Sequence, residues 1–238
     1  MSNQMIFKRY EVKYMLNRQH YTALRSLMKN YMTADPHGPG TIQSLYFDTP
    51  DYLLIRHSLE KPLYKEKLRL RSYGIASPET PVFVELKKKC DSIVYKRRIE
   101  MPESQAMDYL LHNHLVYDSQ IAHEIDYCLG TYRHLAPKVL LSYEREAFYD
   151  KFNPDFRMTF DRNILWRNNN LDLKSGIYGN PILNDNQILL EVKTTGAIPL
   201  WLVHFFSEQK IYKTSFSKYG NAYVAIMNER ANGGKKYA

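Results

Sequence analysis

The stretch Lys67-Leu68-Arg69-Leu70-Arg71 alternates cationic side chains with leucines. Because successive side chains of a β-strand point to opposite faces, this spacing predicts a strand with one cationic and one apolar face. A single strand of this kind is typical of an ordinary half-exposed sheet, with its charges in water. The pattern becomes informative because other parts of the chain repeat it.

Three further stretches alternate charged and aliphatic or aromatic residues. They are Tyr10-Glu11-Val12-Lys13-Tyr14, Val84-Glu85-Leu86-Lys87 and Leu190-Glu191-Val192-Lys193. If these strands share a sheet, many Lys and Arg side chains lie together on one face. Like charges on neighbouring strands repel each other, so such a face favours an anionic ligand that removes the repulsion. A basic channel focuses the electric field and attracts polyanions.

The sequence predicts eight strands joined mostly without intervening helices. Successive strands of this kind favour antiparallel pairing, and eight strands are enough for a barrel that encloses a small ligand. Helices are predicted after Asn17 and Asp118, at Pro199, and over about Ser217–Arg230, whereas Asn168–Asn186 is predicted as a loop. The predicted strands are Ile6–Leu16, Thr41–Asp48, Tyr64–Tyr73, Pro81–Lys89, Ile93–Met101, Lys138–Tyr149, Phe156–Leu165 and Gln187–Thr195.

Composition bounds the class of protein. The 238 residues carry a formal net charge of +8, and 44% are hydrophobic, which excludes a disordered chain. The sequence contains no apolar run long enough for a membrane span and no apolar stretch of signal-peptide length near its start. Two cysteines, Cys90 and Cys128, exclude a disulfide scaffold. We expect a cytoplasmic protein with one domain over 1–230 and a polar tail over 231–238.

Eight motifs, in order along nearly the whole chain, resemble the VTC-domain family, the polyphosphate polymerase branch of the CYTH-like triphosphate tunnel metalloenzymes. The resemblance implies an α+β fold: an eight-stranded antiparallel β-barrel, the triphosphate tunnel fold, with surrounding helices. It also implies that the barrel binds triphosphate and a divalent cation. The motifs are 9–14 (RYEVKY), 44–50 (SLYFDTP), 67–74 (KLRLRSYG), 84–87 (VELK), 142–148 (SYEREAF), 157–162 (RMTFDR), 190–193 (LEVK) and 215–220 (SFSKYG).

The resemblance also implies roles for individual residues. The expected catalytic cations are Lys13, Arg69, Arg71, Lys87, Arg145, Arg157 and Lys193. The expected substrate-binding residues are Lys67, Lys96, Arg98, Lys218 and Glu11. Glu191 is the expected ligand of Mn²⁺ or Mg²⁺, and Glu85 and Asp161 lie on the same predicted faces as further metal-binding carboxylates.

One position departs from the wider group, which opens with the pattern E-x-E-x-K. Here the same frame reads Arg9-Tyr10-Glu11-Val12-Lys13, so the first acid is replaced by arginine. A triphosphatase must activate water, which favours an extra carboxylate, whereas a phosphate acceptor is already anionic and needs no general base. The departure therefore favours a polyphosphate polymerase, although Glu11, Glu85 or Asp161 could still orient water. The alternatives are a tunnel-type triphosphatase and a non-catalytic polyphosphate- or nucleic-acid-binding module.

The expected partners are ATP, triphosphate and polyphosphate. Lys87-Lys88-Lys89 and Lys96-Arg97-Arg98 resemble a nucleic-acid patch, but alternate residues of a strand point in opposite directions, and we expect no nucleic acid. Tyr46 is predicted to pack in the core rather than to stack on a base. A membrane-protein partner is left open, as is the oligomeric state.

Overall fold

The structure is a computed structural model that describes residues 10–91, 93–114 and 118–233. Within these ranges the chain forms eleven strands and six helices. The strands are β1 (Tyr10–Leu16), β2 (Met32–Ala34), β3 (Gly40–Asp48), β4 (Tyr64–Tyr73), β5 (Pro81–Cys90), β6 (Ile93–Pro102), β7 (Ala136–Asp150), β8 (Arg157–Arg167), β9 (Asn180–Pro181), β10 (Ile188–Thr194) and β11 (Lys213–Thr214). The helices are α1 (Arg18–Met28), α2 (Leu53–Leu59), α3 (Glu103–His112), α4 (Gln120–Thr131), α5 (Leu200–Glu208) and α6 (Lys218–Gly233).

All eight predicted strands are present, with ends that differ by a few residues. Residues 6–9 of the first predicted strand lie outside the described residues. The prediction missed β2, β9 and β11 because strands of two or three residues are too short to show a periodic pattern. One of them, Asn180–Pro181, lies inside the predicted loop and pairs with β8.

The four predicted helices are also present. Asn17 caps α1 as predicted, since its side chain accepts a hydrogen bond from the His20 backbone nitrogen at 2.7 Å. The last helix continues to Gly233, beyond the predicted end at Arg230, and 234–238 of the predicted tail lie outside the described residues.

Two helices, α2 and α3, were not predicted. The first turn of α2 is not capped by the residue just before the helix. Instead, the buried carboxylate of Asp48 accepts hydrogen bonds from the backbone nitrogens of Leu54 at 2.9 Å and Ile55 at 3.0 Å. Tyr219 also donates to this carboxylate, at 2.8 Å. The acceptor lies several residues before the helix, so N-cap patterns in the sequence do not reveal it.

The chain divides into two compact units. The first contains the described residues of Met1–Thr41 together with Tyr143–Ile164 and Leu183–Phe216. Its strands are hydrogen-bonded in the order β11-β1-β10-β8-β7, and β2 pairs with β7. Apolar side chains from one face of this sheet, among them Tyr14, Leu190 and Phe160, form a core. Helices α1 and α5 contribute Leu24 and Phe205 to the same core.

The second unit contains Ile42–Ser142, Leu165–Ile182 and the described residues from Ser217 onward. Its strands follow the order β7-β3-β4-β5-β6, with antiparallel registers from β3 to β6. The leucine face of β4 packs into a core that includes Leu68, Leu70, Val84 and Leu86, all fully buried. Helices α3 and α4 contribute Tyr109 and Ile125 to the same core.

The predicted antiparallel α+β fold is confirmed, but the predicted closed barrel of eight strands is wrong. Among the described residues the strand path begins at β11 and ends at β6, so the sheet is open and has eleven strands. A single domain over 1–230 stays a prediction. None of the described helices is long and apolar enough to cross a membrane.

Candidate functional site

The charged strand faces of the second unit are arranged in cross-strand rows. Arg69 of β4 lies opposite Glu85 of β5, which lies opposite Arg98 of β6. The next row contains only lysines, Lys67, Lys87 and Lys96. Because directly opposed residues point to the same face, these rows place the cations on the face opposite the leucine core. The alternation predicted from the sequence is therefore present.

Glu85 is the centre of a cluster of ion pairs. Its carboxylate is 1% exposed and lies 2.7 Å from Arg69 Nη2, 2.7 Å from Lys96 Nζ and 2.8 Å from Arg98 Nε. Arg71 Nε lies 3.8 Å away. We call Arg69, Arg71, Glu85, Lys96 and Arg98 the Glu85 cluster. It holds four cations around one carboxylate, and it therefore keeps an excess of positive charge.

The ionisation of this cluster is shifted by its neighbours. Burial raises the pKa of Glu85, but Arg69, Arg71 and Lys96 outweigh it and hold the pKa well below its ordinary value. Burial lowers the pKa of Lys96 to about 8, against the opposing effect of Glu85. Glu85 is therefore an anion at neutral pH, whereas Lys96 loses its charge in mildly alkaline solution.

Tyr46 joins this cluster from β3. It is buried in the core as predicted, yet its hydroxyl accepts a hydrogen bond from Arg69 Nη1 at 3.0 Å. Burial raises the pKa of Tyr46, but Arg69, Lys67 and Arg71 together lower it to about 8. The sequence did not predict this contact with Arg69, because a tyrosine in a strand can pack its ring in the core and still present its hydroxyl to a polar group.

The second unit contains three further predicted cations, Lys67 and Lys87 in the lysine row and Lys218 at the start of α6. Lys67 Nζ donates to Ser217 Oγ at 3.3 Å. Lys87 is exposed, and Lys218 is half-buried at the start of α6. They therefore extend the basic character of the unit beyond the Glu85 cluster.

A second ion cluster lies in the first unit. Arg145 binds Asp161 through two contacts of 2.6 Å and Glu191 Oε2 at 2.9 Å. Lys13 Nζ lies 3.5 Å from Glu191 Oε1, and Lys193 Nζ lies 3.6 Å from Glu191 Oε2. Both lysines also pair with Glu11, at 3.3 and 3.8 Å. We call Glu11, Lys13, Arg145, Asp161, Glu191 and Lys193 the Glu191 cluster.

Cations and carboxylates are balanced in the Glu191 cluster, unlike in the Glu85 cluster. Burial lowers the pKa of Arg145, but Asp161, Tyr143 and Glu191 outweigh it and raise the pKa well above the ordinary value. Asp161 is fully buried and Glu191 is 5% exposed. The sequence predicted that these residues share strand faces, but it did not predict this pairing.

Arg157 lies in the first unit with a partner that the sequence did not suggest. Its Nη2 is 3.4 Å from Asp35 Oδ2, and its guanidinium lies 4.7 Å from the centre of the Tyr149 ring. Tyr149 in turn donates to Asp35 Oδ2 at 2.9 Å. Asp35 follows the short strand β2, which carried no signal in the sequence.

A comparison with known protein families identifies the family of this chain. The family model of the VTC domain matches residues 8–227. The chain belongs to the VTC domain family. This match confirms the resemblance drawn from the eight sequence motifs, and a comparison with curated proteins finds no match.

Solved structures support the same fold for this VTC domain. A provisionally named adenylate cyclase from Bacillus halodurans has a TM-score of 0.54 and 14% identity over 89% of this chain and 94% of its own. A provisionally named adenylyl cyclase from Hippeastrum, described as having a dominant triphosphatase activity, has a TM-score of 0.52 and 14% identity over 88% of this chain and 92% of its own. At these identities the likeness concerns the fold alone.

The carboxylates of this VTC domain fit a metal carried by a substrate better than a resident metal. Among the described residues, no group of three or more His, Cys, Asp or Glu side chains is placed to hold a metal ion. Glu85 and Asp161 bind cationic side chains at 2.5–2.7 Å, which uses the oxygens that a metal would need. Glu191 Oε1 lies 3.5 Å from Lys13 Nζ. Mg²⁺ is often held by one carboxylate together with substrate phosphates and water, so Glu191 fits that role.

Two buried hydroxyl groups lie directly beside the charged residues in the strand registers. Ser44 is opposite Arg71, and Thr159 is opposite Glu191. Neither side-chain oxygen has a hydrogen-bond partner among the residues that the structure describes. Buried hydroxyls are usually satisfied, so these two are further candidates for contact with a ligand or water. Both lie inside the sequence motifs 44–50 and 157–162, but the sequence analysis assigned them no role.

Proposed function

We propose that this protein is a metal-dependent polyphosphate polymerase that transfers the γ-phosphate of ATP to a growing polyphosphate chain. The observation that carries the proposal is the Glu85 cluster, in which four cations surround one buried carboxylate. Cations held this close together focus a positive field that attracts an anionic ligand. A chain of phosphates supplies that anion.

Substrate binding is assigned first to the arginines of the Glu85 cluster. Guanidinium groups match phosphate oxygens in pairs, whereas lysines act as point charges. Arg69, Arg71 and Arg98 therefore orient the triphosphate, while Lys96 and the neighbouring Lys67 and Lys87 add attraction. Glu85 positions the cations and does not itself bind metal.

Within the first unit, the Glu191 cluster is proposed as a set of groups that contact phosphate. Its cations are Lys13, Arg145 and Lys193, and Glu191 would hold the Mn²⁺ or Mg²⁺ carried by a triphosphate. When bound, the ion neutralises part of the triphosphate charge. Arg157 and Lys218 are proposed as further phosphate contacts, each within its own unit.

The chemical step needs positioning and charge stabilisation rather than covalent help from the protein. A terminal oxygen of the chain forms a new P–O bond to the γ-phosphorus of ATP. The P–O bond between that phosphorus and the β,γ-bridging oxygen breaks, and ADP leaves with the electron pair. The chain grows by one phosphate and no proton must be removed.

The state of the carboxylates favours this transfer over hydrolysis. Glu11, Asp161 and Glu191 each have a cationic partner within 4 Å. A carboxylate held by cations is a poor general base for water. An anionic phosphate acceptor avoids the need for such a base.

A triphosphatase is the second candidate. The neighbour from Hippeastrum, which shares the fold, is described as having a dominant triphosphatase activity. In that case water replaces the polyphosphate oxygen, and Glu11 is the first carboxylate to test. A binding module without turnover is the third candidate. For the polymerase and the triphosphatase we propose a cytoplasmic protein that does not act on nucleic acid.

The experiment is incubation of the full chain with γ-labelled ATP and Mn²⁺, followed by separation of the products by chain length. A ladder that grows with time is expected for the polymerase. Orthophosphate without longer products would overturn the polymerase in favour of the triphosphatase. Polyphosphate that binds without any turnover, and that is released by salt, would favour the binding module.

A further inference from the structure

Two aromatic side chains continue the charged face of the second unit beyond its arginines. Tyr73 is two residues past Arg71 on β4, and Phe83 lies opposite Arg71 on β5. Because side chains two residues apart on a strand point to the same face, both rings lie on the face that carries the Glu85 cluster. The rings pack edge to face, with their centres 5.7 Å apart and their planes at 81°. We call Tyr73 and Phe83 the aromatic pair.

Arg98 of the Glu85 cluster contacts both rings of the aromatic pair. Its guanidinium lies 4.2 Å from the centre of the Phe83 ring, which is a cation–π contact. Burial raises the pKa of Tyr73, but a hydrogen bond from Arg98 and the charges of Arg71 and Arg98 outweigh it and lower the pKa. The two rings are therefore fixed beside the cations that are proposed to bind phosphate.

The aromatic pair is accessible to a ligand, unlike the opposite face of the same strands. Tyr73 is 56% exposed and Phe83 is half-buried, whereas Leu70 and Val84 are fully buried in the core. A large ring that is held in position with part of its surface exposed is suited to stacking on a planar group of a ligand.

A chain of phosphates gains little from this end of the face. Phe83 lies opposite Glu100 of β6, an exposed carboxylate that repels phosphate. Beyond Arg71 the face therefore offers a ring surface and a negative charge rather than further attraction for an anion. Among the ligands of the proposed reaction, ATP alone carries an aromatic group.

We propose that the aromatic pair binds the nucleobase of ATP, which stacks on the exposed ring of Tyr73 while the phosphates contact the Glu85 cluster. This inference rests on the proposed function, in which ATP is the phosphate donor. Two residues of a strand span about 7 Å, and the ribose of a nucleotide bridges a gap of this size between its base and its phosphates. Phe83 and Arg98 hold the Tyr73 ring in place.

The aromatic pair then has a specific task in the reaction. Polyphosphate has no base and gains nothing from stacking, so the pair distinguishes the nucleotide donor from the polyphosphate acceptor. It also sets the orientation of ATP along β4, with the base at the end of the strand near Tyr73 and the phosphates toward Arg69 and Arg71.

The test is equilibrium titration of the full chain with ATP and with inorganic triphosphate, without divalent metal so that neither ligand is turned over. Tyr73→Ala should lower the ratio of ATP affinity to triphosphate affinity about 5- to 150-fold, the effect of losing one base–aromatic stack. The ratio cancels any change that reaches the phosphates through Arg98. Tyr73→Phe keeps the ring and should keep the ratio. Tyr127→Ala removes a tyrosine of α4 that is 73% exposed and is the matched control.

A second comparison uses the unaltered protein and does not depend on the folding of a variant. Ribose 5-triphosphate keeps the sugar and the phosphates of ATP but lacks the base, so it should bind about 5- to 150-fold more weakly than ATP. The proposal is overturned if the two ligands bind equally, if Tyr73→Ala keeps the ratio of the unaltered protein, or if Tyr73→Phe lowers the ratio as much as Tyr73→Ala.

These outcomes separate the stacking site from the proposed function. If no polyphosphate ladder forms but the affinity ratio depends on the Tyr73 ring, the polymerase is wrong and the nucleobase site stands. If the ladder forms and the ratio does not depend on the ring, the polymerase stands and the nucleobase site is wrong. If neither ATP nor triphosphate binds, both proposals are wrong.

Discussion

At the scale of single residues, the two clusters give buried carboxylates different tasks. Glu85 has four cations around it, and its negative charge holds them in place. Glu191 shares its cations with Asp161 and Glu11. The same residue type on the same kind of strand face is therefore predicted to have a positioning role in one unit and a metal-binding role in the other.

The first prediction concerns Glu191. Glu191→Gln should lower metal-dependent turnover by about 10² to 10³, the effect typical of losing one well-placed transition-state contact. The measurement is the rate of product formation with labelled ATP at saturating Mn²⁺. Glu144→Gln is the matched control, because Glu144 is exposed and contacts Asn163. Unchanged activity of Glu191→Gln would show that the metal role is misplaced.

The second prediction concerns the paired arginines of β4. Arg69→Ala combined with Arg71→Ala should weaken triphosphate binding by at least about 100-fold, since each lost charge-assisted contact is worth about 1.5–3 kcal/mol. Equilibrium titration with triphosphate measures the effect. Arg56→Ala removes an arginine that pairs with the exposed Asp51 and should bind normally. An unaltered affinity of the double variant would exclude this strand from the site.

At the scale of elements, the sheet from β4 to β6 is a layer with two different faces. The leucine face is buried in the core, while the opposite face carries rows of cations. Burial of the apolar face stabilises the layer, and repulsion within the lysine row opposes it. Glu85 reduces that repulsion in the row beside it.

The third prediction follows for the stability of this layer. Glu85→Gln should lower the free energy of unfolding by about 3–5 kcal/mol, because breaking a buried pair leaves its charged partners without compensation. Denaturant unfolding measures this loss, and triphosphate should restore part of it, since the ligand replaces the missing negative charge. Glu100→Gln, at an exposed position of β6, is the control. If triphosphate stabilises Glu85→Gln no more than the unaltered protein, the cluster does not bind the anion.

At the scale of the whole molecule, the net charge of +8 is unevenly distributed. The Glu191 cluster is balanced, whereas the Glu85 cluster has an excess of cations. Attraction of a polyanion therefore depends on a small set of groups, of which Lys96 and Tyr46 change charge near pH 8. Global stability and ligand affinity should both respond to these two groups.

The fourth prediction is that pH moves affinity and stability in opposite directions. As pH rises through about 8, Lys96 becomes neutral and Tyr46 becomes an anion, so triphosphate affinity falls. Both folded-state pKa values lie below the unfolded values, so the unfolded chain binds more protons in this range. The contribution of these two groups to stability without ligand therefore rises from about pH 8 toward 10.

Titrations and denaturant unfolding at pH 7, 8 and 9 check both trends. Tyr46→Phe cannot ionise, so it should show a smaller change in each quantity than the unaltered protein. A triphosphate affinity that stays constant from pH 7 to 9 would contradict the assignment of Lys96 and Tyr46 to the binding site.

The sequence by itself determined the strands and their faces. Residues 67–71 alternate with period two, and so do the stretches around Glu85 and Glu191. This period is a local property of the backbone, since successive side chains of any strand point to opposite sides. All eight long strands could therefore be predicted without a structure. The family was indicated by the resemblance of the eight motifs, and the family model matches it. The site residues remain proposals.

Only the tertiary structure decided which charged side chains pair with each other and where the sheet has its open edges. The partners of Glu85 come from neighbouring strands, and Asp35 meets Arg157 across 122 positions of sequence. Such pairs depend on register, and a slip of one residue would turn each side chain to the other face. The open edge at β6 and the start of α2 on Asp48 depend on distant contacts as well. Local periodicity contains no information about these contacts, which is why the closed barrel was predicted and an open sheet is found.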